Sequence, residues 1–103
     1  MTDLPPKTRD QLLATIDAVL KEMRDLRATA KVQTDHVGIE LAESTLLSCR
    51  GAVDSAREVE PLFHTLRKVL GGLKASGGSQ VAPAVQRTRT TLETLCTALE
   101  LIG

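Results

Sequence analysis

Tryptophan and tyrosine are absent from this chain of 103 residues, and Phe63 is its one aromatic side chain of the Phe, Trp and Tyr set. Sheets and base-stacking surfaces draw heavily on such rings, so a β-sandwich and an aromatic platform for single-stranded nucleic acid are both poor readings. A charge excess is also lacking. Thirteen Lys and Arg balance thirteen Asp and Glu, whereas binding by phosphate neutralisation calls for a basic face, so no nucleic-acid partner is expected. No uninterrupted apolar run approaches the roughly 18–20 residues of a membrane span, and none is expected. Met1 to Lys7 combines neither a basic start with an apolar stretch nor a small-residue cleavage site, which predicts no secretory signal and a cytoplasmic protein.

What the chain does contain is Leu, Ala, Val, Ile, Met and Cys, with 42% hydrophobic and 25% charged residues. Those fractions are ordinary for a globular protein, and the length fits one domain over residues 1–103. Leu12, Ile16, Val19, Met23, Leu26 and Ala30 follow steps of 4, 3, 4, 3 and 4, the rhythm of a seam packed knobs-into-holes. Leu13 and Leu20 widen it, as a helix touching two neighbours requires. This predicts helix 1 over about residues 8–32. Thr34 and Asp35 are candidate caps for a second helix from near Asp35, which carries Ile39, Ala42, Leu46, Cys49, Val53 and Ala56 on its stripe. Cys49 and Cys96 both fall on stripes and read as reduced, buried small hydrophobes.

The apolar rhythm continues through Val59, Phe63, Leu66, Leu70 and Leu73, so one bent helix is conceivable. Pro61 argues for a break, because proline inside a helix costs about 3 kcal/mol and in the first turn is tolerated. The break is placed between residues 57 and 61, with helix 3 from Pro61 to about Lys74. Ala75 to Ser79 reads as a loop. A last stripe, Val81, Val85, Thr88, Leu92, Leu95, Leu99 and Ile102, has Pro83 in its first turn. The predicted fold is all-α, an antiparallel up-down-up-down four-helix bundle; the alternative is three long helices with the second bent near Pro61.

His64 is the candidate for chemistry. At 100° per residue it falls almost opposite the apolar side formed by Leu62, Phe63, Leu66, Val69, Leu70 and Leu73, so it should face water, with Lys68 on the same face and Arg67 at its border. An exposed imidazole beside cations is suited to accept a phosphoryl group. The run Phe63-His64-Thr65-Leu66-Arg67 resembles the histidine-containing phosphotransfer domains of bacterial phosphorelays, which are four-helix bundles. That resemblance implies relay through His64 from an aspartyl-phosphate partner, with Lys68 standing where the family usually keeps Gly. The spacing of Arg57 and His64 also resembles that of small helical ribonuclease domains of toxin–antitoxin systems, with Pro61 falling between the pair. A secreted helical hairpin of similar length would carry a Trp-x-Gly turn, where this chain has Cys49-Arg50-Gly51.

His36 and His64 stand far apart, and neither belongs to a close His/Cys/Asp/Glu cluster, so no metal site is expected. Gly71-Gly72 and Gly77-Gly78 follow a helix instead of joining a strand to one, which suits helix termination better than a phosphate cradle. Asp17, Glu22, Asp25, Glu40 and Glu43 read as solvated positions. Arg24, Arg27 and Lys31, like Arg87 and Arg89, are basic groups too small for a nucleic-acid patch. The expectation is a non-enzymatic interaction module, a small adaptor, chaperone-like or regulatory binder. It would act through a helix face on a protein partner or on itself, without catalytic residues or cofactor. Histidine phosphotransfer through His64, with Arg67 and Lys68, is the alternative.

Overall fold

Four apolar stripes become four helices in the computed structural model, which describes residues 2–29, 33–76 and 83–102. They are α1 (Pro6–Thr29), α2 (Gln33–Ser55), α3 (Val59–Ser76) and α4 (Pro83–Ile102). No strand forms among the described residues. Ala30, Lys31, the side chains of Thr34, Asp35 and Lys74, the stretch 77–79 and Val81 lie outside the description.

Helix boundaries depart from expectation in ways that have local causes. Pro6 opens α1 two residues early, since its missing N–H would have no intrahelical partner there; residues 30–32 of the expected helix lie outside the described residues. Thr34 and Asp35 are not caps, because α2 already begins at Gln33. The stretch between α2 and α3 is 56–58, so the bent-helix alternative is replaced by two helices. Ala56 N–H closes α2 onto the Val53 carbonyl at 3.2 Å. Pro61 is the third residue of α3 rather than its first, still within the turn whose N–H groups lack intrahelical acceptors. Pro61→Ala should therefore change stability by less than about 1 kcal/mol; a large gain with added helicity by circular dichroism would show that the proline interrupts one longer helix. Ala75 and Ser76 continue α3 where a loop was expected.

The core is the sum of the stripes. Leu12, Ile16, Val19 and Met23 of α1, Ile39, Ala42, Leu46, Cys49 and Val53 of α2, and Leu62, Leu66, Leu70 and Leu73 of α3 are buried together. Leu26 breaks the pattern. It is 42% exposed, because periodicity assigns a face while burial needs a neighbour, and α1 ends one turn later. On α4 the buried set is wider than one seam: Ala84, Thr91 and Cys96 join Val85, Thr88, Leu92, Leu95 and Leu99. The reason is position. α2 and α4 each pack against all three other helices, while α1 and α3 do not touch. The cross-section is thus a flattened diamond with α2 and α4 across its short diagonal, and the molecule measures 45 × 25 × 18 Å. Thr88 and Thr91 enter the core by donating their hydroxyls to the carbonyls of Ala84 and Arg87 at 2.9 and 2.8 Å.

Along α1 and α2 the polar contacts step in opposite directions. Arg9 Nη2 donates to the Ala56 carbonyl at 2.5 Å, Asp17 pairs with Arg50 at 2.8 Å, and Arg27 lies 3.2 Å from Glu43. The last pair is a charge contact without hydrogen-bond geometry, since Glu43 Oε1 is buried with no donor aimed at it.

Residues 2–4 form a strap that the sequence did not announce. Asp3 and Glu58 make an isolated antiparallel bridge. Leu4 N–H donates to the Arg57 carbonyl at 2.9 Å, and Val59 N–H to the Thr2 carbonyl at 2.8 Å. The strap thereby satisfies the first orphan donor of α3, and Leu4 enters the core at 4% exposure.

Candidate functional site

His64 lies in the second turn of α3 with its side chain exposed, as do Arg67 and Lys68. Its ring meets Phe63 edge-on, with centroids 6.0 Å apart and an interplanar angle of 66°. Arg67 is drawn over the same phenyl ring, its guanidinium carbon 5.5 Å from the centroid. Beside His64 a shallow pocket of about 280 Å³ opens between α3 and α4, lined by Val59, Glu60, Phe63, His64, Leu99 and Glu100. Two of those six are carboxylates. Both oxygens of Glu60 accept from Thr2 N–H at 3.1 Å, and its own backbone N–H together with that of Thr2 holds its pKa below the ordinary carboxylate range. The surroundings of the imidazole are therefore mixed, cationic one turn further along α3 and anionic at the pocket.

Other candidates disperse. Arg57 sits in the 56–58 connection with its side chain exposed and its carbonyl engaged by the strap. His36 is half-buried near the start of α2. Among the described residues no three His, Cys, Asp or Glu side chains are grouped to hold a metal ion, and no helix is long and apolar enough to cross a membrane. Burial pushes the Cys49 thiol up to about 11, with the Cys96 thiol adding to the shift. At neutral pH it stays protonated, which leaves little thiolate to act as a nucleophile. Two arginines are engaged within the fold by hydrogen-bonded ion pairs. Arg87 forks onto Glu22 through Nε at 3.0 Å and Nη2 at 3.1 Å, and Arg50 reaches Asp17. Both pairs are about half exposed, so solvent screening leaves each a small contribution to stability.

A further exposed surface is the outward side of α2. Val37, Leu41, Ser44, Ser48, Gly51 and Ser55 recur at steps of 4, 3, 4, 3 and 4, and all are exposed. Val37 is 59% and Leu41 44% exposed, and Leu47 at the border of the stripe is 57% exposed. This is a second heptad rhythm on the opposite side from the buried seam, without a charged residue in it. Reading the chain for repeated large hydrophobes misses it, because serine and glycine occupy four of its six positions; the signal is the absence of charge at those spacings. A Cβ added at Gly51 would meet nothing within 4 Å, so no close approach inside the chain requires glycine there.

Comparison of the chain with protein-family models, curated proteins and solved structures returned no match.

Proposed function

We propose that this protein is a non-enzymatic helical interaction module of the cytoplasm. It acts as a small adaptor, chaperone-like or regulatory binder and docks a protein partner on the outward face of α2, with its four helices in up-down-up-down antiparallel order. The observation that carries the reading is that face: Val37, Leu41 and Leu47 stand in solvent along an uncharged, heptad-spaced stripe of small residues. Such a surface suits a facing helix, since large side chains anchor and small ones let the backbones approach. Exposed apolar side chains gathered on one element mark interaction surfaces more often than scattered ones do.

Phosphoryl relay through His64 is the second reading, favoured by the exposure of the imidazole and the nearby Arg67 and Lys68. Against it stand Glu60 and Glu100 at the adjoining pocket, where an incoming phosphoryl dianion would meet like charge.

The test is Leu41→Glu, which places a charge in the stripe without touching the core. The variant should fold normally by circular dichroism, while proteins retained by the wild type from an extract of the native host are lost. Equal retention by both forms would remove α2 as the docking face. Incubation with phosphorylated receiver domains should leave His64 unmodified; acid-labile phosphate on the wild type and none on His64→Ala would put relay in place of docking.

A further inference from the structure

Resting on the interaction reading, we infer that the occupant of the outward face of α2 is an amphipathic helix of another protein, with Lys or Arg flanking its apolar stripe, and not a second copy of this chain. The argument is the charge left beside the stripe. Of the charged residues of α2 whose side chains are described, Glu40, Glu43, Arg50 and Asp54, two are turned toward α1: Arg50 hydrogen-bonds Asp17 and Glu43 faces Arg27. Glu40 and Asp54 remain exposed, and neither makes an ion pair among the described residues. Asp54 contributes to the field at Arg50, but the guanidinium is committed to Asp17.

At 100° per residue Glu40, Leu47 and Asp54 fall within about 40° of one another, along one border of the stripe. They are spaced evenly, one carboxylate seven residues to each side of Leu47. An antiparallel second copy in the register that seats Leu47 on Leu47 would set Glu40 against the other copy's Asp54, twice over. A parallel copy would set each carboxylate beside its own twin. Like charges facing one another across a helix pair oppose association, whereas basic residues at the same places favour it. Gly51 is open as well: a Cβ built there meets no described atom within 4 Å, as is true of Gly71 and Gly72 within α3. Its openness fits close approach by a helix from outside.

The experiment titrates isotope-labelled protein with a synthetic three-heptad helical peptide bearing Leu at a and d and Lys at e and g, followed by amide shifts. A matched peptide with Glu in place of Lys is the control. The Lys peptide should perturb Val37, Leu41, Leu47 and Gly51 and weaken as salt rises, and the Glu peptide should bind at least about tenfold more weakly. Glu40→Lys with Asp54→Lys should invert that preference, and Gly51→Leu should weaken binding about tenfold with the fold unchanged. Equal binding of both peptides, perturbation centred on the pocket beside His64, or no binding of the Lys peptide would overturn the assignment. So would a dimer in analytical ultracentrifugation that Leu41→Glu dissolves. That last result would keep docking through α2 and change the occupant, whereas unaltered partner retention by Leu41→Glu would remove docking through this face altogether.

Discussion

Leu92→Ala is expected to lower the unfolding free energy by about 2–5 kcal/mol, and Leu46→Ala by a similar amount, measured by urea denaturation with unchanged slope. Both side chains are fully buried, Leu46 on α2 and Leu92 on α4, the two helices that touch every other. Truncation removes the transfer free energy of the lost carbons and leaves a cavity that close-packed neighbours fill only in part. Leu92 should fall at the upper end, because α4 is buried over a wider arc than any single seam and has the least freedom to relax. Leu26→Ala is the internal control. With 42% of its surface exposed, it should cost about 1 kcal/mol or less. Losses below about 0.5 kcal/mol for both core variants would refute the packing of α2 against α4.

Leu4→Ala should cost about 2–3 kcal/mol, a large effect for a residue outside every helix. Leu4 combines burial in the core with a backbone hydrogen bond to Arg57, so losing its side chain weakens the anchorage of both. The expected signature is faster amide exchange at Leu4 and Val59, whose N–H groups are the strap's donors, ahead of global unfolding. Acid should act in the same direction. The Glu60 carboxyl is lowered by its own N–H and by Thr2 N–H, so its stabilising contribution is whole above the ordinary carboxylate range. It is lost as pH falls through the depressed folded value. Protection at Val59 that stayed constant through acidification, in a chain still folded, would separate Glu60 from the strap.

The seams were legible because 3.6-residue periodicity is a property of the chain alone. Leu12, Ile16, Leu46, Leu66, Leu92 and Leu99 could be placed without knowing what they touch. Leu26 could not, since the end of a helix is uncovered or covered according to where its neighbours stop. Ala84 and Thr91 escaped for the converse reason: α4 has partners on two sides, and their identity emerges only on packing. Leu4 carries no periodicity at all, being one apolar residue before two prolines, and its burial depends on a pairing with the distant segment Arg57–Val59, through backbone atoms that have no sequence signature. For the site, the exposure of His64 followed from its angle on α3, while the stripe on α2 reads as ordinary polar surface until Glu40 and Asp54 beside it are seen to make no ion pair among the described residues.

Because α1 and α3 make no contact, each leans only on the α2–α4 pair. Such an arrangement would let either outer helix peel away while the other stayed in place, and unfolding would then proceed in separate steps. The strap changes this. By running from the first turn of α1 to Glu58, Val59 and Glu60, it is the one described segment that ties the start of α1 to the start of α3. Loss of α1 drags the strap off α3, and loss of α3 releases the strap from its anchor. Three residues thus act as a clasp that makes two otherwise independent helices share one melting transition, and a partner competing for the clasp would loosen both at once.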